Sequence, residues 1–185
     1  MERSTHSPKR DMIFVTVGTD HHPFDRMVDW IDAWAAEGGH NNNLVLVQYG
    51  TSKAPQQVPG RDMIRYDEMC EAMSRAIAVV SHGGPATIMD ARRMGRIPIV
   101  VPRNADLGEH VDNHQQRFTR RMAELGQIHH AEDRDQLFAY LGQALADPDA
   151  FGVHDSGDEI AAAVGRFSDM VGELVTGGRR RLAFR

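Results

Sequence analysis

Residues 77–90 read Ile-Ala-Val-Val-Ser-His-Gly-Gly-Pro-Ala-Thr-Ile-Met-Asp, and no other stretch of the chain limits the fold as sharply. A short apolar run, rich in β-branched residues, passes through two glycines into a helix-forming segment, which makes one strand–loop–helix unit. Gly83 and Gly84 let backbone N–H groups approach an anion closely. Pro85 suits the first helical position, and the helix start offers partial positive charge to a phosphate. Asp90 falls about two turns in, as a candidate acceptor for a hydroxyl. Thr87, in the same stretch, is a substrate-binding candidate with them.

The rest of the chain repeats this grammar. Apolar runs at 12–17, 44–49, 77–81 and 97–101 do not alternate with polar residues, the pattern of strands covered on both faces. Helix-like segments at 24–37, 68–76, 86–94, 110–125 and 134–146 follow them, with a further one at 159–175. Weaker strands at 61–66 and 127–130 bring the sheet to about six, near the usual size. Strand–helix alternation predicts an α/β fold with a Rossmann-like, doubly wound parallel sheet, whose ligands bind outside the strand C-termini. The loops at 18–20, 50–52, 81–85 and 102–109 would then meet at one crevice. The expected organisation is a flexible arm at 1–11, a Rossmann-like ligand-binding domain at 12–146, a helical extension at 147–175 and a basic tail at 176–185.

Composition narrows the chemistry. A chain of 185 residues suits one domain with a real core, and a net charge of −5 argues against a general nucleic-acid binder. The single cysteine, Cys70, excludes an internal disulfide framework and a Cys-rich zinc site, which fits a reducing, cytoplasmic setting. No apolar run approaches the roughly 20 residues of a membrane span. Lysine occurs only at Lys9 and Lys53, without a P-loop, and Gly18 opens no G-x-G-x-x-G. Arg179, Arg180, Arg181 and Arg185 make the tail basic, as a solvated end or as a contact for an anionic membrane or acidic partner.

Gly18 and Thr19 leave the first strand as a tight exit or a second phosphate contact, and Gly50, Thr51 and Ser52 are a weaker version. His82, just before the two glycines, is a phosphate donor in preference to a general base. In the stretch Gly108-Glu-His-Val-Asp-Asn-His-Gln115, Gln115 shares an expected inward stripe with Val111, Phe118, Met122 and Leu125. A buried amide needs a partner, so Gln115, with Asn113 and Glu109, is either a sugar-hydroxyl contact or part of a helix-capping cluster. His110 and His114 have a zinc-compatible spacing, but H-E-x-x-H is absent and no metal is expected. Trp30 and Trp34 read as core in preference to a partner face, and Arg117, Arg120 and Arg121 as a solvated helix face in preference to a partner or acidic-ligand patch.

Together, Val15-Thr-Val-Gly-Thr19, Ser81-His-Gly-Gly84 through Asp90, Pro98-Ile-Val-Val-Pro102 and Gly108 through Gln115 resemble the C-terminal, donor-binding domain of family-28 glycosyltransferases of the GT-B fold. The likeness covers roughly residues 12–146 and is greatest to the small catalytic subunits of split N-acetylglucosaminyl- and exopolysaccharide transferases. It implies a UDP-sugar donor, with Gly83, Gly84 and His82 at the diphosphate, Gly18 and Thr19 on the phosphate side, Asp90 at the ribose, and Gln115 and Asn113 at the sugar. The family more often carries glutamate at the position of Asp90, one methylene longer. The resemblance further implies an inverting hexosyl transfer that needs no metal or other cofactor. The general base and a lipid-linked sugar acceptor would come from a membrane-associated partner subunit that holds the protein at the inner face of the membrane. The alternatives are a non-catalytic nucleotide-binding or scaffold protein with this fold, and an α/β module for an unrelated nucleotide.

Overall fold

A computed structural model describes residues 10–38 and 42–153. The arm before residue 10, the helix expected at 159–175 and the arginine tail lie outside the described residues. Strands β1 (Met12–Thr16), β2 (Val45–Gln48), β3 (Gly60–Arg61), β4 (Ala76–His82), β5 (Ile99–Val101) and β6 (His129–His130) form one sheet, every pair parallel, in the order β3-β2-β1-β4-β5-β6. This is the Rossmann-like order: the chain winds outward from β1 to β3, then returns to place β4 beside β1. The strand order reverses between β1 and β4, the switch point beyond whose strand C-terminal ends sheets of this kind bind their ligands.

Period-two alternation builds a core on each face of the sheet. Ile13 and Val15 of β1 and Ala78 and Val80 of β4 point to the side of helices α1 (Asp25–Glu37) and α5 (Arg134–Ala146), against Met27, Ile31, Leu137 and Leu141. Phe14 and Val79 point the other way, to Ala72 and Met73 of α2 (Tyr66–Arg75) and Ala91 of α3 (Pro85–Arg93). All of these are buried, and each large side chain removed from water contributes about 1.5–3 kcal/mol. The helix α4 (His114–Glu124) packs near β6. Trp34 is core, whereas Trp30 is half-buried with the Arg26 guanidinium 4.7 Å from its ring centroid.

Three expectations change. The strand expected at 61–66 is only Gly60–Arg61, both exposed, because α2 starts at Tyr66 and Asp62 turns the chain between. The helix expected from residue 110 starts at His114: a 3-10 turn at Ala105–Leu107 ends on Gly108 in the left-handed region, and turns fill the interval. Val111 is therefore exposed instead of inward, and Leu125 lies past the helix end, leaving Gln115, Phe118, Thr119 and Met122 as the buried stripe. The domain also runs beyond 146. A 3-10 turn at Pro148–Phe151 buries Phe151, and Ile97 N–H donates to the Phe151 carbonyl at 2.9 Å. Among the described residues no helix is long and apolar enough to cross a membrane.

Candidate functional site

The crevice floor is made by the chain leaving β1, β4 and β5. Gly18 follows β1 with φ of +83°, a conformation that favours glycine, and its N–H donates to Thr16 Oγ1 at 3.1 Å. A Cβ built on Gly18 would lie 2.4 Å from His82 Nε2, and one on Gly84 would lie 2.1 Å from His82 Cε1. The imidazole of His82 thus fills the gap between two loops, and only glycine on either side leaves it room. Thr87 Oγ1 is 3.3 Å from its Nε2, while its Nδ1 is buried without a hydrogen-bond partner among the described residues. Burial, reinforced by the Arg103 charge, lowers the His82 pKa to about 4, against the opposing pull of Asp20. The ring is neutral at physiological pH, able to donate one N–H and no positive charge.

Gly83 is equally constrained, since a Cβ there would meet Thr119 Cγ2 at 2.9 Å and Gln115 Oε1 at 3.0 Å. Gln115 Oε1 accepts from Gly83 N–H at 3.1 Å and from Arg103 N–H at 3.3 Å, clipping the β4 loop to the β5 loop. With Oε1 assigned by two donors, Nε2 is the end of the amide left for a ligand. Below it the α3 N-terminus carries Pro85 at its first positions and no side-chain cap, so first-turn N–H groups stay available to an anion. Gly18, His82, Gly83, Gly84, Thr87 and Gln115 are thereby brought together, and Thr19 is exposed beside them.

Arg103 holds this floor in place, and nothing in its local sequence announced it. Fully buried, it donates from Nη1 to the His22 carbonyl at 2.7 Å and the Glu109 carbonyl at 2.8 Å, and from Nη2 to the Val17 carbonyl at 2.8 Å. One guanidinium ties the loop after β1, at Val17 and His22, to the loop after β5, at Glu109. Its burial draws its pKa down, countered by Asp20 and Glu109. Gln48 makes a second tie: its Nε2 donates to the Gly18 carbonyl at 3.1 Å and its Oε1 accepts from Thr16 Oγ1.

The remaining expected contacts have internal duties. Glu109 is buried in a two-pronged ion pair with Arg26, 2.8 Å at each oxygen, and Oε2 also accepts from Asn104 N–H at 2.8 Å. Asn113 Oδ1 accepts from Ala105 N–H at 2.8 Å. Ser52 Oγ accepts from Phe24 N–H at 2.7 Å at the start of α1, and Thr51 Oγ1 donates to the Asp20 carbonyl at 3.2 Å. Asp90 is buried on α3, about 8 Å along the axis from its first residue. Its Oδ1 accepts from Tyr66 Oη at 3.1 Å and from Arg93 Nη1 at 3.3 Å, and its Oδ2 has no hydrogen-bond partner among the described residues. Asp20, at the crevice mouth, is held at a pKa of about 2: burial works upward, but the His22 backbone and ring hydrogen bonds and the Arg103 charge outweigh it.

The family model of the glycosyltransferase family 28 C-terminal domain matches residues 12–153. Among solved structures, the fold is similar to that of MurG from Acinetobacter baumannii, with a TM-score of 0.54 at 15% identity. That match covers 87% of this chain and 50% of the other, so the chain spans about half the length of its structural neighbour. No curated protein matches the chain.

Proposed function

The chain belongs to the glycosyltransferase family 28 C-terminal domain family, and on that premise we propose that it is the donor-binding subunit of a UDP-sugar-dependent glycosyltransferase. The observation that carries this reading is the glycine clasp at the switch point, where Gly18 and Gly84 close on the His82 ring. A diphosphate placed over Gly83 and Gly84 meets the uncapped N-terminus of α3, with the Thr87 hydroxyl, one His82 N–H and the Gly18–Thr19 turn around it. The ribose hydroxyls go to Asp90, whose Oδ2 is uncommitted. Gln115 Nε2 addresses the donor sugar, and Glu109 and Asn113 act one step back by shaping the loop that carries it.

Charge building on the departing UDP is stabilised by fixed backbone donors in a preorganised crevice, and no step requires a metal ion or other cofactor. The transferred group is a hexose or N-acetylhexosamine, moved with inversion by direct displacement. The chain spans about half the length of its MurG structural neighbour, which supports a reading in which another domain holds the acceptor. We assign that side to a membrane-associated partner subunit, which presents a lipid-linked sugar and supplies the general base in exopolysaccharide or glycolipid assembly. The protein then works at the cytoplasmic face of the membrane through that partner.

A second reading, a nucleotide-binding or scaffold protein without transfer activity, is favoured by one observation: Asp90 Oδ1 is already shared between Tyr66 and Arg93. Reconstitution with the membrane partner and a radiolabelled UDP-sugar separates the two. Sugar appearing in the lipid fraction only when both proteins are present supports the enzyme. UDP binding with no transfer under any pairing supports the scaffold, and robust transfer by this chain alone contradicts the assignment of acceptor and base to a partner.

A further inference from the structure

A second pocket lies at the same end of the sheet as the crevice, between α1 and α4 and beyond the last residues of β5 and β6. Its volume is about 410 Å3, within the roughly 300–1,000 Å3 of small-molecule sites. Trp30, Pro102 and Leu107 give it apolar surface, and Leu107 is 60% exposed. Gln116 and Arg120 line it from α4, turned about 100° around the helix from Gln115 and Thr119, which serve the crevice floor.

The polar groups of this pocket are both donors and acceptors, and several are uncommitted. Asn104 Oδ1 accepts from the Asp106 N–H at 2.9 Å, while its Nδ2, like the Gln116 amide, has no hydrogen-bond partner among the described residues. Arg120 gives Nε to Glu132 Oε1 at 3.0 Å and keeps its two terminal nitrogens, and Glu132 keeps Oε2. His130 adds an acceptor by elimination. Thr119 Oγ1 lies 2.8 Å from the Gln115 carbonyl, to which it donates, so its 3.1 Å contact with His130 Nε2 places the ring proton on that nitrogen. His130 Nδ1 is then a bare lone pair 3.8 Å from Glu132 Oε1, two acceptors with no donor between them. Burial lowers the His130 pKa against the opposing pull of Glu132, with Arg120 adding to the lowering, so protonation does not fill that gap at neutral pH.

Charge selects among ligands. Arg26 is paired with Glu109 and Arg120 with Glu132, and Asp133 adds a further carboxylate, so the walls hold no surplus positive charge for a phosphate or a nucleotide. A metal cation would meet two guanidinium groups. A hydroxyl both donates and accepts, so a ring of hydroxyls satisfies amide, guanidinium, carboxylate and imidazole side by side. The C–H surface of the same ring suits Trp30 and Leu107.

We propose that this pocket binds a neutral pyranose unit of a glycan, apart from the donor crevice, with Gln116, Arg120, His130 and Glu132 reading its hydroxyls. The site is separate from the one assigned to the diphosphate and ribose, and it stands whether or not a UDP-sugar is the donor.

The test is a titration of the full chain, followed by saturation-transfer NMR, with the methyl glycosides of glucose, galactose, mannose and N-acetylglucosamine and with cellobiose, lactose and chitobiose. At least one of these sugars should bind with low-millimolar affinity and keep that affinity in the presence of millimolar UDP. Gln116→Ala and Glu132→Ala should each weaken binding at least about fivefold, and Arg117→Ala, at an exposed position of α4 outside the pocket, should leave it unchanged. Thermal unfolding establishes that each variant folds, and Glu132→Ala, at an exposed position, keeps the test decisive if Gln116→Ala does not fold. No low-millimolar binding by any of these sugars, displacement of the sugar by UDP or a UDP-sugar, tighter binding of uridine or inorganic phosphate in this pocket, or affinity unchanged in the folded variants would overturn the proposal.

Discussion

The crevice has a floor and a flank that are built on opposite principles. At the floor, side chains lock loop to loop: Gln115 Oε1 bridges two loops, Arg103 takes three backbone carbonyls, and His82 is wedged between Gly18 and Gly84. At the flank, Asp90 shares one carboxylate oxygen with the exposed Tyr66 and the half-exposed Arg93, and keeps the other. A site for a diphosphate, whose shape is constant, gains from rigidity. On the proposed reading the ribose hydroxyls meet the freer carboxylate of Asp90, which has room to adjust. On that reading the floor stores shape and the flank tunes affinity.

The largest effect expected from breaking this contrast is at Arg103. Arg103→Met leaves the carbonyls of Val17, His22 and Glu109 buried without a donor, which should cost about 3–5 kcal/mol in urea unfolding. A loss below about 1 kcal/mol would mean that the floor is not held in this way.

Next comes a pH dependence from His82. Its folded pKa, about 4, lies below the ordinary 6.5, so the unfolded chain takes up the proton first. This contribution is complete above pH 6.5 and is lost as pH falls toward about 4, on the order of 3 kcal/mol in all. Asp20 and Arg103 face the ring with opposite charge, and His110 adds to the Arg103 effect. His82→Gln should remove that slope while leaving the separate one from Asp20, which is complete above pH 3.8 and disappears as pH falls toward about 2. Unfolding curves across pH 4–7 check it.

Gly84→Ala should destabilise the fold by about 1–3 kcal/mol and weaken UDP binding at least about tenfold, because the new methyl displaces the His82 ring. Gly142→Ala, in α5 with nothing within 4 Å of the added atom, serves as the control and should stabilise by about 0.5–1 kcal/mol. The smallest effect belongs to the flank. Asp90→Asn should leave unfolding nearly unchanged, reduce UDP affinity by about 1 kcal/mol, and abolish the preference for UDP over its 2′-deoxy analogue. Equal damage to stability at Asp90 and at Gly84 would erase the distinction between floor and flank.

What could be read ahead of the structure follows the same division. The runs at 12–17, 44–49, 77–81 and 97–101 are short and apolar enough to be strands and nothing else, and they are β1, β2, β4 and β5. The glycine loop and the helix behind it were equally plain, because Gly-Gly-Pro carries its own backbone chemistry. Arg103 was invisible, since its partners are carbonyls of residues 17, 22 and 109 and no local spacing announces them. Glu109 looked available because its partner, Arg26, lies 83 positions away. Val111 was misplaced for a local reason: the left-handed Gly108 and the Asp112 turn delay the helix to His114, while apolar spacing alone runs it back to residue 110.

A UDP-sugar site built on the β1 and β4 loops is put to the test by calorimetric titration of the chain with UDP, ATP and NAD. Sub-millimolar binding of UDP, weaker binding of the other two, and complete loss in Gly84→Val are expected. UDP binding no tighter than ATP or NAD, or an affinity for UDP unchanged by Gly84→Val, would contradict it.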